Sequence, residues 1–281
     1  MRRILHISDL HFGRTDEQIV TALRRTIREL APDLLVVSGD LTQRARSRQF
    51  EEARRFLDEW DCPKIVVPGN HDVPLENLLD RFFRPYAKYR KFISEDLSPR
   101  FQDDELAVAG VNTARSFTRS GGSVDDRQIE EVRQFFCSVD PDAIKIVVTH
   151  HPLDVPEVFN NKYVLRRSRQ AIEALSGCHA DLYLAGHSHV PFAGLSERRY
   201  SLPHHTALIV QAGTCLSTRT RSVSNSFNLI HVSRPDMTVE HFHWSASKGQ
   251  FEFATASQFR HTRDGWRRPT DQNDSRLDRA I

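Results

Sequence analysis

Along the chain, short apolar runs alternate with stretches in which apolar residues recur at helical spacing. Ile4-Leu5-His6-Ile7 reads as a buried strand. From Asp16 to Leu30 the positions Ile19, Leu23, Ile27 and Leu30 line one helical face, with Thr15 as the expected cap. Pro32 ends that helix, since its ring cannot continue it. Leu34 to Val37 is a second strand, Phe50, Ala53, Phe56, Leu57 and Trp60 form the apolar face of a second helix, and Lys64 to Val67 is a third strand. Further strands are predicted at Leu106 to Val111, Ile144 to Val148, Leu182 to Ala185 and Ala207 to Gln211, with helices at Asp126 to Phe136 and Ser168 to Leu175. This alternation predicts a layered α/β architecture. After Ala207 the pattern changes to successive strands, Phe227 to Val232, Val239 to Trp244 and Phe251 to Ala254, as expected for a second sheet closing a sandwich. No internal repeat is visible.

Composition narrows this only modestly. A chain of 281 residues with a hydrophobic fraction of 39% supports one large domain, placed at residues 1–260, with the polar stretch His261 to Ile281 expected as a flexible tail. The formal net charge is +2, so any basic surface is local and no stable nucleic-acid complex is expected. Cys62, Cys137, Cys178 and Cys215 show neither C-x-x-C pairing nor regular spacing and read as packing thiols in a reducing compartment. Met1 to Ser8 is too short an apolar run for a signal peptide, and no stretch of about 18 apolar residues suggests a membrane span. A cytoplasmic protein is expected.

The chemistry lies where apolar runs stop. Five segments each close such a run with metal-ligand residues: Asp9-Leu10-His11, Gly39-Asp40, Gly69-Asn70-His71-Asp72, Thr149-His150-His151 and Gly186-His187-Ser188-His189. Each fragment alone is common by chance, but their joint occurrence after strand-like runs points to a single site. Carboxylates, imidazoles and one amide suit a hard or borderline divalent cation, and two cations about 3.5–4 Å apart can clamp both the attacking and leaving oxygens of a phosphoryl group.

On these motifs the chain resembles the calcineurin-like metallophosphoesterase superfamily, whose pattern is D-x-H, G-D, G-N-H-[DE], H and G-H-x-H, over roughly residues 1–245. Within that superfamily it looks most like the bacterial class III cyclic-nucleotide phosphodiesterases. The resemblance implies a four-layer α-β-β-α sandwich of two facing mixed sheets flanked by helices, with the ligands on loops at the carboxyl ends of strands. It further implies that Asp9, His11, Asp40 and His189 bind one metal, that Asp40, Asn70, His150 and His187 bind the other, and that Asp40 bridges them. The pair is expected to be Mn²⁺ and/or Fe²⁺/Fe³⁺, with Zn²⁺ or Co²⁺ also accepted by such ligands. The implied reaction is hydrolysis of a phosphodiester by a metal-activated hydroxide, most simply of a 3′,5′- or 2′,3′-cyclic nucleotide. His71 is implied as the general acid to the leaving oxygen or as a stabiliser of phosphoryl charge. Many relatives carry an acidic residue three positions after the bridging aspartate to orient that histidine. Here Gln43 stands there, and what orients His71 stays open.

Other residues have two readings each. Asp72 either supports the ligands and closes its loop or contacts His71 or a metal-bound water directly, and His151 either touches substrate or points away along the strand end. His204 and His205 are expected on an exposed loop. Arg219 and Arg221 either grip a substrate phosphate as a bidentate fork or belong to a solvated hairpin tip. Between about residues 74 and 97, Leu75, Leu78, Leu79, Phe82, Phe83, Tyr86, Tyr89 and Ile93 recur beside Arg81, Arg84, Lys88, Arg90 and Lys91, with a break at Pro85. The apolar face of this helical insert packs on the domain, packs on a partner subunit of a homodimer, caps the substrate, or meets a membrane through residues 75–93. The alternatives to a soluble cyclic-nucleotide enzyme are therefore a UDP-sugar or lipid pyrophosphatase at a membrane surface, a DNA-repair-type nuclease, and a non-catalytic metal-binding scaffold.

Overall fold

In the computed structural model, which describes residues 1–155, 161–200, 202, 205–218 and 224–269, alternate residues of each parallel strand enter different cores. The first half of the chain runs β1 (Arg2–Ile7), α1 (Glu17–Leu30), β2 (Leu34–Val37), α2 (Ser47–Asp58), β3 (Lys64–Val66), α3 (Leu78–Phe83), α4 (Ala87–Phe92), β4 (Arg100–Gln102), β5 (Leu106–Val111) and α5 (Asp126–Ser138). Then follow β6 (Ile144–Thr149), α6 (Ser168–Ser176), β7 (Leu182–Ala185), β8 (Phe192–Leu195), β9 (Leu208–Gln211), β10 (Ser226–Ser233), β11 (Asp236–Ser245), β12 (Gln250–Thr262) and β13 (Gly265–Arg267). Two mixed sheets result, ordered β13-β12-β11-β10-β1-β2-β3 and β4-β5-β6-β7-β9-β8.

The layering follows from the period-two alternation of a strand. Leu34 and Val36 of β2 face inward against Ile144, Ile146 and Val148 of β6, forming the core between the sheets. Leu35 and Val37 face the other way, onto Leu23 and Ile27 of α1 and Phe50 and Phe56 of α2. On the far side, Ala107 and Ala109 of β5 and Val147 of β6 pack against Val132, Phe136, Ile172 and Leu175 of α5 and α6. Three cores thus separate four layers, helices outside and sheets within. β1, β2 and β3 run parallel, as do β5, β6, β7 and β9, so in each sheet the carboxyl ends of the parallel strands lie along one edge.

Several expectations are corrected. The cap of α1 is Asp16, whose side chain accepts from Gln18 N–H, while Thr15 pairs with Ser217 in an isolated bridge. The C-terminal strands do not build the second sheet; β10 pairs antiparallel with β1, so β10 to β13 extend the first. The ordered fold also continues past residue 260, because β13 carries Trp266, fully buried with its indole N–H on Asp181 at 2.8 Å. Tail residues 270–281 lie outside the described residues. Cys137 and Cys178 are not separate packing thiols but a disulfide joining α5 to the turn after α6, which their 41-residue separation does not reveal. The other two cysteines are unpaired, Cys215 in the core and Cys62 partly buried. No helix among the described residues is long and apolar enough to cross a membrane.

His205 is likewise buried rather than on an exposed loop, with its Nε2 3.7 Å from Asp181. His204 lies outside the described residues. Burial, and after it the charges that His179 and His261 can carry, push His205 down to about 4. The folded value lies below the unfolded one, so the stability involved is fully present above about pH 6.5 and is lost as the pH falls from there toward 4, on the order of 2–3 kcal/mol. Thermal unfolding at pH 7 and pH 4.5 should therefore show a smaller acid loss in His205→Gln than in the wild type. Parallel losses would place the acid sensitivity elsewhere.

Candidate metal centre

Five loops leave the carboxyl ends of β1, β2, β3, β6 and β7 and meet over the seam between the sheets, where open α/β sheets leave a crevice. The backbone there is unusual. Asp9, His11, Asp40, His187 and His189 all have positive φ, between 50° and 66°, a region that costs most residues about 1–2 kcal/mol but that Asp and His visit more readily. Hydrogen bonds between loops hold these turns: Asp9 N–H donates to Gly39 O at 3.1 Å and His11 N–H to Asp40 O at 3.0 Å. Two glycines are dictated by approach. Gly39 has φ 94° and a Cβ there would lie 2.6 Å from His150 Nδ1, while a Cβ on Gly69 would strike the Asp40 carboxylate.

All seven expected ligands converge, and each is buried. Asp9 Oδ1 lies 3.6 Å from both His11 Nε2 and His189 Nε2, and Asp40 Oδ2 lies 3.8 Å from His11 Nε2. On the other side Asp40 Oδ1 lies 3.4 Å from His150 Nε2, which is 3.1 Å from Asn70 Oδ1 and 3.3 Å from His187 Nδ1. The two oxygens of Asp40 thus face two different groups of side chains. Donor atoms within each of the sets Asp9/His11/His189 and Asp9/Asp40/His150 lie within 4.8 Å of one another.

Contacts behind the cluster set which atom points into it. His150 Nδ1–H donates to Ser38 O at 2.8 Å, leaving the Nε2 lone pair for the cleft. Asn70 Nδ2 donates to Arg119 O at 3.2 Å, so the amide oxygen faces inward. His189 Nδ1 is bonded to the Thr214 hydroxyl. Asp72 closes the loops: its carboxylate accepts from Leu41 N, Thr42 N, Gly69 N and Thr42 Oγ1, tying the Asp40 loop to the Asn70 loop. Sequence reasoning missed Ser38, Arg119 and Thr214, and backbone carbonyls carry no residue-type signal by which Ser38 and Arg119 could have been found.

The donor set fits divalent cations. Asp9 Oδ1 and His11 Nε2 are buried with no hydrogen-bond partner among the described residues, a costly arrangement unless something else ligates them. Desolvation alone would raise Asp40, but His150, His71 and His11 outweigh it and hold its carboxyl well below the usual range. Burial pushes His11 down to about 4 despite Asp40 and Asp9, and pushes His187 down to about 3, with the charge of His150 adding to it. Ionised carboxylate and neutral imidazoles are the ligating forms at neutral pH. His150 differs. Burial lowers it, yet Asp40 and Asp9 raise it to about 9, a place where a cation would substitute for a proton.

His71 stands beside this cluster, its ring 4.8 Å from that of His11. Its backbone N–H donates to Asp40 Oδ1 at 2.8 Å, and its Nδ1 to the Gln43 carbonyl at 2.9 Å. The open question of its orienter is thereby answered by the main chain of residue 43, a group present whatever the side chain. His151 is buried with its ring 4.4 Å from that of His187 and its Nδ1 on Thr113 Oγ1 at 2.9 Å. Arg219 and Arg221 lie outside the described residues.

A sequence model of calcineurin-like phosphoesterases matches residues 2–191. Among curated proteins, the chain is 28% identical over 204 residues to a probable cyclic nucleotide phosphodiesterase of a Pseudoalteromonas species, covering 66% of this chain and 71% of that protein. It is 25% identical over 217 residues to the UDP-2,3-diacylglucosamine pyrophosphatase LpxG of Chlamydia trachomatis, covering 67% and 64%. With a probable cyclic nucleotide phosphodiesterase of a Synechococcus species it shares 32% identity over 80 residues, 25% of this chain and 31% of that protein. The chain thus spans less than two thirds of two of these three curated relatives. Among solved structures, a purple acid phosphatase from yellow lupin has the same fold, with a TM-score of 0.68 over 91% of this chain and 53% of that one at 13% identity.

Proposed function

The chain belongs to the calcineurin-like phosphoesterase family, and from that premise we propose that it is a metal-dependent phosphoester hydrolase, a dinuclear phosphodiesterase acting on a cyclic nucleotide. The observation that carries the dinuclear reading is Asp40, one carboxylate whose two oxygens address His11 on one side and His150 on the other. Asp9, His11, Asp40 and His189 would hold one cation, and Asp40, Asn70, His150 and His187 the second. Manganese or iron is the expected metal. When bound, the pair supplies Lewis acidity toward the phosphoryl oxygens and lowers the pKa of a water to near neutral.

The protein's own groups do the rest. Ser38, Arg119 and Thr214 turn ligand atoms into the cleft, and Asp72 keeps the two central loops in register. Nδ1–H donates to Gln43 O, so it is the imidazolium form of His71 that carries a second proton, at Nε2, for delivery to the departing ester oxygen. Such an acid matters for an alkoxide leaving group, as in opening a cyclic diester.

A turnover panel with added Mn²⁺ tests the reading: 3′,5′- and 2′,3′-cyclic nucleotides, bis-p-nitrophenyl phosphate, AMP and sugar-nucleotide diphosphates. Diesters should exceed monoesters, with a cyclic nucleotide the best natural substrate. Faster turnover of AMP than of any cyclic nucleotide would overturn the substrate class. A second reading, pyrophosphatase action on a lipid-linked sugar nucleotide, is favoured by the apolar surface beside the cleft and would be selected by preferential turnover of the diphosphates.

A further inference from the structure

Helix α3 is inside out. Its arginine, Arg81, is buried, donating to Pro74 O at 2.8 Å and Thr118 O at 2.6 Å, whereas Leu78, Leu79, Phe82 and Phe83 face solvent. Leu79 is 72% exposed and Phe83 79%, and Phe117, 85% exposed, sets its ring 5.5 Å from that of Phe82. Five of the seven large hydrophobic residues exposed among the described residues therefore share one patch. Such a patch marks an interaction surface. It borders the cleft, since Phe117 is two residues from Arg119, whose carbonyl holds Asn70. The insert's other apolar residues behave ordinarily: Tyr89 is buried, and Tyr86, Phe92 and Ile93 pack on the core.

Charge selects the partner. From Leu78 to Ile93 the chain carries five basic residues and one acid, Asp80, paired with Arg84 at 3.4 Å; of the exposed acids flanking that stretch, Glu76 is paired with Arg46 at 3.2 Å, and Glu95 and Asp96 follow α4. Arg84, Arg90 and Lys91 are exposed, as is Arg119 on the adjoining loop. Two copies meeting through this face would bring its exposed basic residues together, whereas an anionic bilayer attracts Lys and Arg and accepts protruding Leu and Phe side chains below its headgroups. We propose that α3 and Phe117 dock the protein on an anionic membrane surface, placing the mouth of the metal cleft at the headgroup level. The docking holds whichever phosphodiester the site hydrolyses.

Co-sedimentation of the full chain with vesicles tests this by binding alone, apart from turnover. Vesicles rich in phosphatidylglycerol should retain the protein at least about tenfold better than pure phosphatidylcholine, and 1 M salt, which cuts the Debye length to about 3 Å, should release it. The double variants Leu79→Ser/Phe83→Ser and Arg90→Glu/Lys91→Glu should each lose about tenfold in retention while hydrolysing soluble bis-p-nitrophenyl phosphate like the wild type. Equal retention by neutral vesicles, or undiminished retention of both variants, would overturn the proposal. So would a protein that ignores vesicles but forms a concentration-dependent dimer dissolved by the serine variant, since a second copy would then cover the patch.

Discussion

Asp40→Ala is expected to lose both equivalents of metal together, and hydrolysis with them. Oδ1 and Oδ2 of that residue face His150 and His11 respectively, so a single truncation removes an anionic donor from two cation positions at once. The fall in rate should exceed the roughly 10–100-fold seen when only a group supporting a metal ligand is lost. His189→Ala provides the contrast. Its Nε2 approaches Asp9 on one side only, so one equivalent should weaken while the other stays. Because Asp40 Oδ1 also accepts the His71 N–H, Asp40→Asn is the companion variant, keeping an oxygen near that amide while removing the charge. Elemental analysis finding two full equivalents in Asp40→Ala would remove this residue from the bridging position.

His71→Ala should behave in the opposite way, retaining metal and losing chemistry. For an alkoxide leaving group the loss is expected at about 10²–10⁴ in rate, the range of a positioned general acid. For a p-nitrophenyl ester, whose leaving group needs no proton, the loss should be far smaller. Equal losses on both substrates would show that His71 does not act as an acid. Since the Gln43 carbonyl accepts from His71 Nδ1, Gln43→Ala should leave the leaving-group dependence in place.

The strands and helices were legible because their periodicities are strong. Alternation in Leu34 to Val37 and helical spacing from Ile19 to Leu30 both correspond to observed faces of β2 and α1. Misreadings arose where a distant contact overrides local composition. The stretch from His261 to Trp266 looks like a polar tail, but β12 and β13 pair there and Trp266 finds Asp181 across the molecule. His205 looks like a loop residue and is buried by the same contact region. Cys137 and Cys178 stand 41 residues apart, and only the packing of α5 against α6 brings them within bonding distance.

By itself the sequence determined which chemistry the chain can carry: five ends of apolar runs supply the carboxylates, imidazoles and amide, in an order that points to one site. It also determined where those residues sit, since a strand that ends in Gly-Asp or Gly-Asn-His leaves its polar residues on the following turn. The tertiary structure alone decided how they face one another. Left-handed turns at Asp9, His11, Asp40, His187 and His189, the carbonyls of Ser38, Gln43 and Arg119, and the loop closure by Asp72 come from segments far apart in the chain. Every residue has a carbonyl, so residue type cannot announce which one will orient an imidazole. The same holds for α3, whose spacing predicts an amphipathic helix but whose rotation is set by the carbonyls of Pro74 and Thr118 that take in Arg81, turning its leucines and phenylalanines outward.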